Sequence, residues 1–355
     1  MTVSGAEPIR ILVLFNRVPY PLNDGGAIGA FNFVKGYTEA GCTLTMLAMN
    51  TSRHFVEEGK VQEVLGKYGK VEPVFIDNRI KPVDALINLM SHQSYIIQRF
   101  ISEEFKKKLI EVLSNNSFDI VHVDGLPPSA YIDVIRAHSK AKISMRAHNV
   151  EHVIWERIAE EEKSVLKKSY LTIQSKRLKQ FEINAYMKCD VVMAISREDE
   201  VIIKKHSPET KTILVPAGMD MDETLNDHLT DSHDLFFIGS FDWQPNLQGM
   251  EWFFETVWKD VIKKIPSVRF VIAGKKMPAS ILKLKSENVF PIGEVPDARQ
   301  FIIEHGIMVV PLVSGSGIRI KIVEAMALGK TIIATTIAAE GLGLTSGENI
   351  LIANN

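Results

Sequence analysis

The residues best suited to chemistry lie in one segment of the 355-residue chain, VVPLVSGSGIRIKIVEAMALGKTIIAT, from Val309 to Thr335. An apolar run ends at Pro311, a loop follows with Gly315 and Gly317 on either side of Ser316, and the spacing predicts a helix through Glu324 to Leu328 that stops at Gly329. Glycines let the backbone come close to an anion, unpaired N–H groups at a helix start donate to it, and the helix dipole favours negative charge there. Arg319 and Lys321 fall in the first turn, where the dipole disfavours cations, and that placement points to an anionic partner. Glu324, further along, could accept two hydrogen bonds from a ribose diol while phosphates sit at the helix start, on the Ser316, Gly317 and Ile318 backbone. The competing reading is a plain loop with solvated Arg319 and Lys321 and a surface Glu324. Glycine loops between strand and helix are common, but the whole combination is less so.

The first half of the chain offers weaker candidates. A loop from Asn16 to Gly26 ends in Asp24-Gly25-Gly26 before a helical pattern containing Phe31, Val34 and Tyr37. Gly25 and Gly26 could bring backbone N–H groups to a diphosphate or acceptor, or serve only as a tight helix start. The segment ISMRAHNVEHVIWERI places Arg146, His148, Asn149, Glu151 and His152 just past a strand end, with Asn149 also a candidate cap for the next helix. A metal site on His148, Glu151 and His152 is disfavoured, because HNVEH is not the HExxH spacing and no Cys or His cluster completes it. Asp124, after another strand, is a candidate acceptor contact, or simply part of a polar loop. Ser196 reads as a helix cap with Asp199 as the acid three residues on. Trp243 fits a domain core better than a stacking platform. Lys275 and Lys276 are secondary phosphate candidates, or two solvated lysines on a turn.

Positioning these groups requires parallel sheets. Val/Ile/Leu-rich runs alternate with helical spacing throughout, the sign of a parallel sheet covered by helices. Strands are expected at Ile9–Phe15, Thr43–Met49, Val74–Asp77, Ile120–Val123, Ile143–Arg146, Val191–Ile195 and Thr212–Val215. A polar stretch, DETLNDHLTDSHD, then interrupts the pattern, which restarts at Leu235–Ile238, Arg269–Ala273, Val289–Ile292, Ile307–Val310, Thr331–Ala334 and Ile350–Ile352. The expected organisation is a first Rossmann-like domain over 1–220, a linker over 221–234 and a second over 235–355, with the carboxyl ends of both strand sets facing a central cleft. No covering helix follows the last strand, so a fragment lacking the last helices of the second domain is expected.

Composition narrows the function classes. The chain is 46% hydrophobic and 24% charged, and 41 Lys and Arg stand against 43 Asp and Glu for a net charge of -2. That balance offers no global attraction to nucleic acid or acidic lipid. Cys42 and Cys189, far apart in apolar surroundings, suit reduced core thiols and favour the cytoplasm. No apolar stretch reaches the ~20 residues that cross a bilayer, so contact with a membrane would be from one side. One stretch suits such contact: Ile80 to Val112 mixes apolar residues with Arg99, Lys106, Lys107 and Lys108, and such a helix could rest on an anionic inner membrane face or simply pack on the core.

With these residues in view, GSGIRIKIVEAMALGKTIIAT resembles the nucleotide-sugar signature of the retaining glycosyltransferase family 4. AAEGLGL, IRILVLFNRVPYPLNDGG, VPAGMD and FIGSFDWQPN resemble it too, so the likeness spans nearly the whole chain. The resemblance implies a GT-B fold and transfer of a sugar from a nucleoside diphosphate with retention, the nucleotide sugar being a co-substrate and no metal or other cofactor being needed. The acceptor would be a glycan, a lipid-linked molecule or a small molecule, in polysaccharide or glycoconjugate synthesis. It implies Glu324 on the ribose, the Gly315–Gly317 loop, Gly239, Gly25 and Gly26 near the phosphates or donor sugar, His148 toward that sugar, and Asn149 and Glu151 orienting it or meeting the acceptor. Two departures stand out. Ser316 replaces a glutamate carried eight positions before the ribose-binding one in many members, and Gly239 to Asn246 contains no basic residue where many members have an Arg and a Lys. Arg319 and Lys321 are the expected replacements for that charge. Readings outside this class are a degenerate GT-B binding protein, suggested by Ser316, and epimerisation or phosphorolysis. A nicotinamide enzyme is disfavoured by the lack of GxGxxG in the first βα loop.

Overall fold

The computed structural model describes residues 7–22, 25–216, 218, 232–315 and 318–355. The chain divides into two units, Met1–Gly218 and Met219–Asn355. Most of the expected linker, and the sequence positions Ser316 and Gly317, lie outside the described residues.

The first unit is built on a 7-stranded sheet in the order β3-β2-β1-β4-β5-β6-β7. Its strands are β1 Arg10–Phe15, β2 Thr43–Thr51, β3 Gly69–Ile76, β4 Ile120–Asp124, β5 Lys142–Ala147, β6 Val191–Ala194 and β7 Thr212–Leu214. All pairs are parallel. A parallel sheet must be covered on both faces, so its central strands are apolar on every residue rather than on alternate ones. Accordingly, Ile11 through Phe15 of β1 are each at most 1% exposed. They divide between two apolar clusters, one around Leu12, Leu14 and Val121, the other around Ile11, Val13 and Met46.

Strand β3 starts at Gly69, earlier than the expected Val74, because Pro73 lies within it. A proline is tolerated there since β3 is an edge strand with β2 as its single neighbour. The amphipathic stretch after β3 is three helices, Pro82–Asn88, Tyr95–Gln98 and Glu103–Asn115. Phe105, Leu109 and Val112 pack on the core, whereas Val83, Leu86, Ile87 and Met90 are exposed. Among the described residues no helix is long and apolar enough to cross a membrane.

The second unit carries a 6-stranded sheet in the order β10-β9-β8-β11-β12-β13. Its strands are β8 Leu235–Ile238, β9 Phe270–Ala273, β10 Val289–Gly293, β11 Ile307–Val310, β12 Thr331–Ala334 and β13 Leu351–Ile352, again all parallel. Phe236, Met308, Val310 and Ile322 build the core on one face, and Phe237, Phe253, Phe270 and Trp258 on the other. In each sheet the chain winds outward in both directions from a central pair, β1 and β4 in the first and β8 and β11 in the second. Such switch points open a crevice at the strands' carboxyl ends.

Candidate active site

In the second unit the loops after β8 and β11 meet. The helix Ile320–Ala327 follows the β11 loop, and among the described residues no side chain caps its start. Gly315 has φ of 110°, and a Cβ on it would lie 3.1 Å from the Trp243 ring and 3.2 Å from the Arg319 guanidinium, so both the backbone conformation and the close approach require glycine. Arg319 is 5% exposed, and its guanidinium carbon stands 5.0 Å from the centre of the Trp243 ring. Trp243 is therefore not a core residue as expected; it is 37% exposed and forms a platform for the arginine.

Lys321 also turns toward the β8 loop. Its Nζ donates to Ile238 O at 3.2 Å and to Asn246 Oδ1 at 3.0 Å, and lies 4.2 Å from the Phe237 ring centre. A Cβ on Gly239 would be 3.1 Å from that ammonium, so Gly239 keeps the end of β8 open beside it. Burial, and then the Arg319 charge, push the Lys321 ammonium down to about 7. Two cations thus share a small space with neutral oxygens and aromatic faces around Lys321. Ile318, at the mouth of the loop, is half-buried. Glu324 sits one turn further along, partly buried; burial raises its carboxyl, Arg299 opposes the shift and Asp297 adds to it. Glu324 thus faces the loop after β10. Lys275 pairs with Glu294 at 3.4 Å and Lys276 with Asp242 at 3.0 Å, so these secondary candidates are engaged at the rim.

In the first unit Asp124, at the end of β4, is fully buried, which overturns the expectation that it touches an acceptor. Its Oδ1 instead receives His148 Nε2 at 2.9 Å and lies 3.5 Å from Arg146 Nη1. Burial alone would raise this carboxyl, but His148, His122 and Arg146 outweigh it and hold the group well below the usual range. Arg146 stacks on Phe33 at 4.5 Å. Burial lowers His122, whose Nδ1 lies within hydrogen-bond distance of Ser144 Oγ at 3.0 Å. Asp124 therefore fixes the ring of His148, which is half-buried and lines a cavity with Asn16 and Gly26. Gly25 and Gly26 open the helix Gly25–Glu39.

Asn149 does not cap the next helix. Glu182, from the long helix Val165–Lys188, accepts from the backbone N–H of Glu151 at 2.8 Å and of His152 at 2.9 Å, and from His152 Nδ1 at 2.6 Å. His152 is thereby drawn away from His148 and onto a separate carboxylate. Asn149 hydrogen-bonds the Glu151 carboxyl, which burial and the Glu182 charge raise to about 7. Ser196 does cap its helix: its Oγ accepts from Asp199 N at 3.1 Å and donates to Asp199 Oδ2 at 2.8 Å.

Sequence reasoning missed most of the rest of that cavity. Arg17, Arg53 and Arg79 line it together with His54, His148 and Arg99, the last read from the sequence only as part of a basic amphipathic stretch. The signal was present: Arg17, Arg53 and Arg79 each follow closely on a strand end, β1, β2 and β3 in turn.

Both sheets, their strand orders and the loops that carry these groups define the GT-B class of glycosyltransferase folds. Residues 232–355 match the family model described as glycosyl transferases group 1. The chain is 24% identical over 363 residues to an uncharacterised 44.6 kDa protein in the cps region of Klebsiella pneumoniae, covering 98% of this chain and 88% of that protein. Among solved structures it resembles TarM, with a TM-score of 0.67 at 12% identity over 99% of this chain and 90% of that one. It also resembles Anabaena Alr3699/HepE in complex with UDP, with a TM-score of 0.62 at 11% identity over 97% and 85% of the two chains. A glycosyltransferase from Rickettsia africae matches with a TM-score of 0.61 at 16% identity over 99% and 86%.

Proposed function

We infer that the protein is a retaining glycosyltransferase that takes its sugar from a nucleoside diphosphate and passes it to a glycan or lipid-linked acceptor in surface-polysaccharide synthesis. The observation that carries this reading is the delivery of Arg319 and Lys321 to the loop after β8, the stretch that lacks a basic residue of its own. The leaving diphosphate gains negative charge as the glycosidic bond breaks, and fixed cations in a site poor in water stabilise that charge more than bulk solvent would. With cations supplied by the protein, the transfer needs no metal. Glu324 holds the ribose diol, and the Ser316–Ile318 backbone meets the phosphates. The acceptor attacks on the face the diphosphate is leaving, and the departing phosphate oxygen takes the acceptor proton, so no protein nucleophile is required.

UDP is the first nucleotide to test, because Alr3699/HepE is described with UDP and UDP-glucose. The relative from a cps region supports the polysaccharide setting. In this reading the enzyme works in the cytoplasm at the inner membrane face, and His148, Asn149 and Glu151 belong to the acceptor side.

The test is thermal-shift screening against UDP, GDP, dTDP, CDP, ADP and their sugars, with Arg319→Ala and Glu324→Ala alongside the wild type. One nucleotide should stabilise the wild type, and both substitutions should reduce the shift. A folded wild type stabilised by none of them would sink the donor assignment. A shift without sugar transfer or donor hydrolysis would favour a binding protein, the reading that Ser316 suggests.

A further inference from the structure

The cavity in the first unit has a volume of about 690 Å³ and is lined, among the described residues, by four arginines and two histidines and by no aspartate or glutamate. Arg79 is neutralised from outside by Asp77, at 2.7 and 2.9 Å. Arg99 is held in place by neutral groups: its Nη1 donates to Asn78 O at 3.0 Å, and its guanidinium stands 6.0 Å from the Tyr95 ring and 5.7 Å from that of Phe100. Among the described residues neither Arg53 nor Arg99 forms an ion pair, and Arg53 is near enough for its charge to act on Arg99. Thr51, at the end of β2, also lines the cavity; it is 1% exposed, and its Oγ1 has no hydrogen-bond partner among the described residues. Arg53 and Arg99, like charges near one another with no ion pair among the described residues, beside a buried hydroxyl without a partner there, lower the stability of the empty domain and suit a bound oxyanion.

One wall of the cavity continues into an apolar surface. Ile80 lines the cavity and is 69% exposed. Beyond it Val83, Leu86, Ile87 and Met90 are 67%, 66%, 61% and 91% exposed. Their spacing places them on one face of the helix Pro82–Asn88 and the turn that extends it. Water would not select such a stripe, and its start at the cavity wall connects a site for an anion with a site for a hydrocarbon chain.

We propose that this cavity binds the phosphate or diphosphate of a lipid-linked acceptor, with Arg53, Arg99 and Thr51 on the phosphate and the stripe from Ile80 to Met90 on the lipid chain. The proposal rests on the glycosyl-transfer reading above and adds the chemical class of the acceptor. Arg53 is exposed and Thr51→Val is isosteric, so variants at both positions should fold.

The experiment is calorimetric titration of the full chain carrying Arg319→Ala, which disables the anion site of the second domain, with farnesyl diphosphate, inorganic diphosphate and farnesol. Farnesyl diphosphate should bind about tenfold more tightly than inorganic diphosphate, and farnesol should not bind measurably. Arg53→Ala should weaken both diphosphates by about tenfold, as loss of one charge-assisted contact implies. Met90→Asp should remove the advantage of the farnesyl chain and leave inorganic diphosphate unchanged. Thr51→Val should weaken diphosphate binding while raising the melting temperature of the free protein. Indifference to Arg53→Ala, or farnesol binding as well as its diphosphate, would overturn the proposal. Equal binding of the two diphosphates, both dependent on Arg53, would overturn the lipid assignment in favour of a soluble phosphate ester. The nucleotide thermal shift of Arg53→Ala, measured with Arg319 intact, separates the two readings. If that shift persists while farnesyl diphosphate fails to bind, the acceptor proposal alone is wrong. If the wild type shows no nucleotide shift while Arg53-dependent diphosphate binding is present, the donor assignment alone is wrong.

Discussion

Lys321 Nζ lies 3.0 Å from Asn246 Oδ1, which ties the helix after β11 to the helix Gln244–Trp252 after β8 through a cation whose two hydrogen-bond acceptors are both neutral. A lysine so placed is costly to the empty fold and useful to a bound anion.

Lys321→Met should therefore abolish the nucleotide-induced thermal shift and yet stabilise the free protein. The lysine falls from 10.5 to about 7 in the folded state, so between those values the unfolded chain binds the extra proton, and wild-type stability rises with pH across that window. The gain in Lys321→Met should be largest at and below about pH 7, on the order of a few kcal/mol, and should shrink toward pH 10. Melting curves across this range check both sign and window. The wild-type nucleotide shift should weaken as pH rises above about 7, because an anion favours the protonated amine.

If Glu324 holds a ribose diol, its removal should matter only when the diol is present. Glu324→Ala is expected to weaken the preferred nucleoside diphosphate by about tenfold to a hundredfold, the loss of hydrogen bonds to a charged acceptor. The 2′,3′-dideoxy analogue should bind wild type and variant alike. Calorimetry on the four combinations gives the coupling directly, and equal losses for both ligands would remove Glu324 from the ribose.

Asp124→Asn should destabilise the first unit by about 3–5 kcal/mol, because it leaves Arg146 buried without its counter-charge. The Asp124 carboxyl is depressed on folding, so its contribution is complete above the ordinary carboxylate range and lost only as pH falls through its much lower folded value. The deficit of the variant should thus be constant between pH 5 and 8 in denaturant titrations. A deficit that vanished at pH 5 would contradict the ionised, paired state.

Gly29 lies inside the helix Gly25–Glu39, where alanine would ordinarily be preferred by about 1 kcal/mol. A Cβ there would sit 2.7 Å from Arg146 Nη2, whose guanidinium is held between Asp124 and the Phe33 ring. Gly29→Ala should therefore lower stability, by about 1–3 kcal/mol. An unchanged or higher melting temperature would show that Arg146 can shift without loss.

The parallel sheets could be read from the sequence because burial on both faces forces uninterrupted apolar runs, and Leu235–Ile238, Ile307–Val310 and Thr331–Ala334 lie where the runs placed them. Pro73 hid the first half of β3, since a proline argues against a strand until the strand is known to be an edge. Local signals also found the Ser196 cap, whose partner lies three residues away. They could not find Glu182, a cap from the neighbouring helix 31 residues from Glu151. Separation in sequence likewise hid the Asp124–His148 pair and the influence of the Arg53 charge on Arg99. Arg319 and Lys321 were legible as charges in the wrong place for a helix dipole. Their side chains turning onto the β8 loop was not legible, because that depends on a register between β8 and β11 that only the assembled sheet fixes.

The edge strand β3 bears on the solution behaviour of the protein. A bare strand edge offers a template on which a second copy could add its own strand and begin an aggregate. Here Pro73 removes a donor from that edge, and Glu72, paired with Lys70 at 2.9 Å and Lys108 at 3.3 Å, sets charges along it. Replacing Pro73 and Glu72 with valines would make a smoother strand and leave the chain more prone to assemble edge to edge at high concentration.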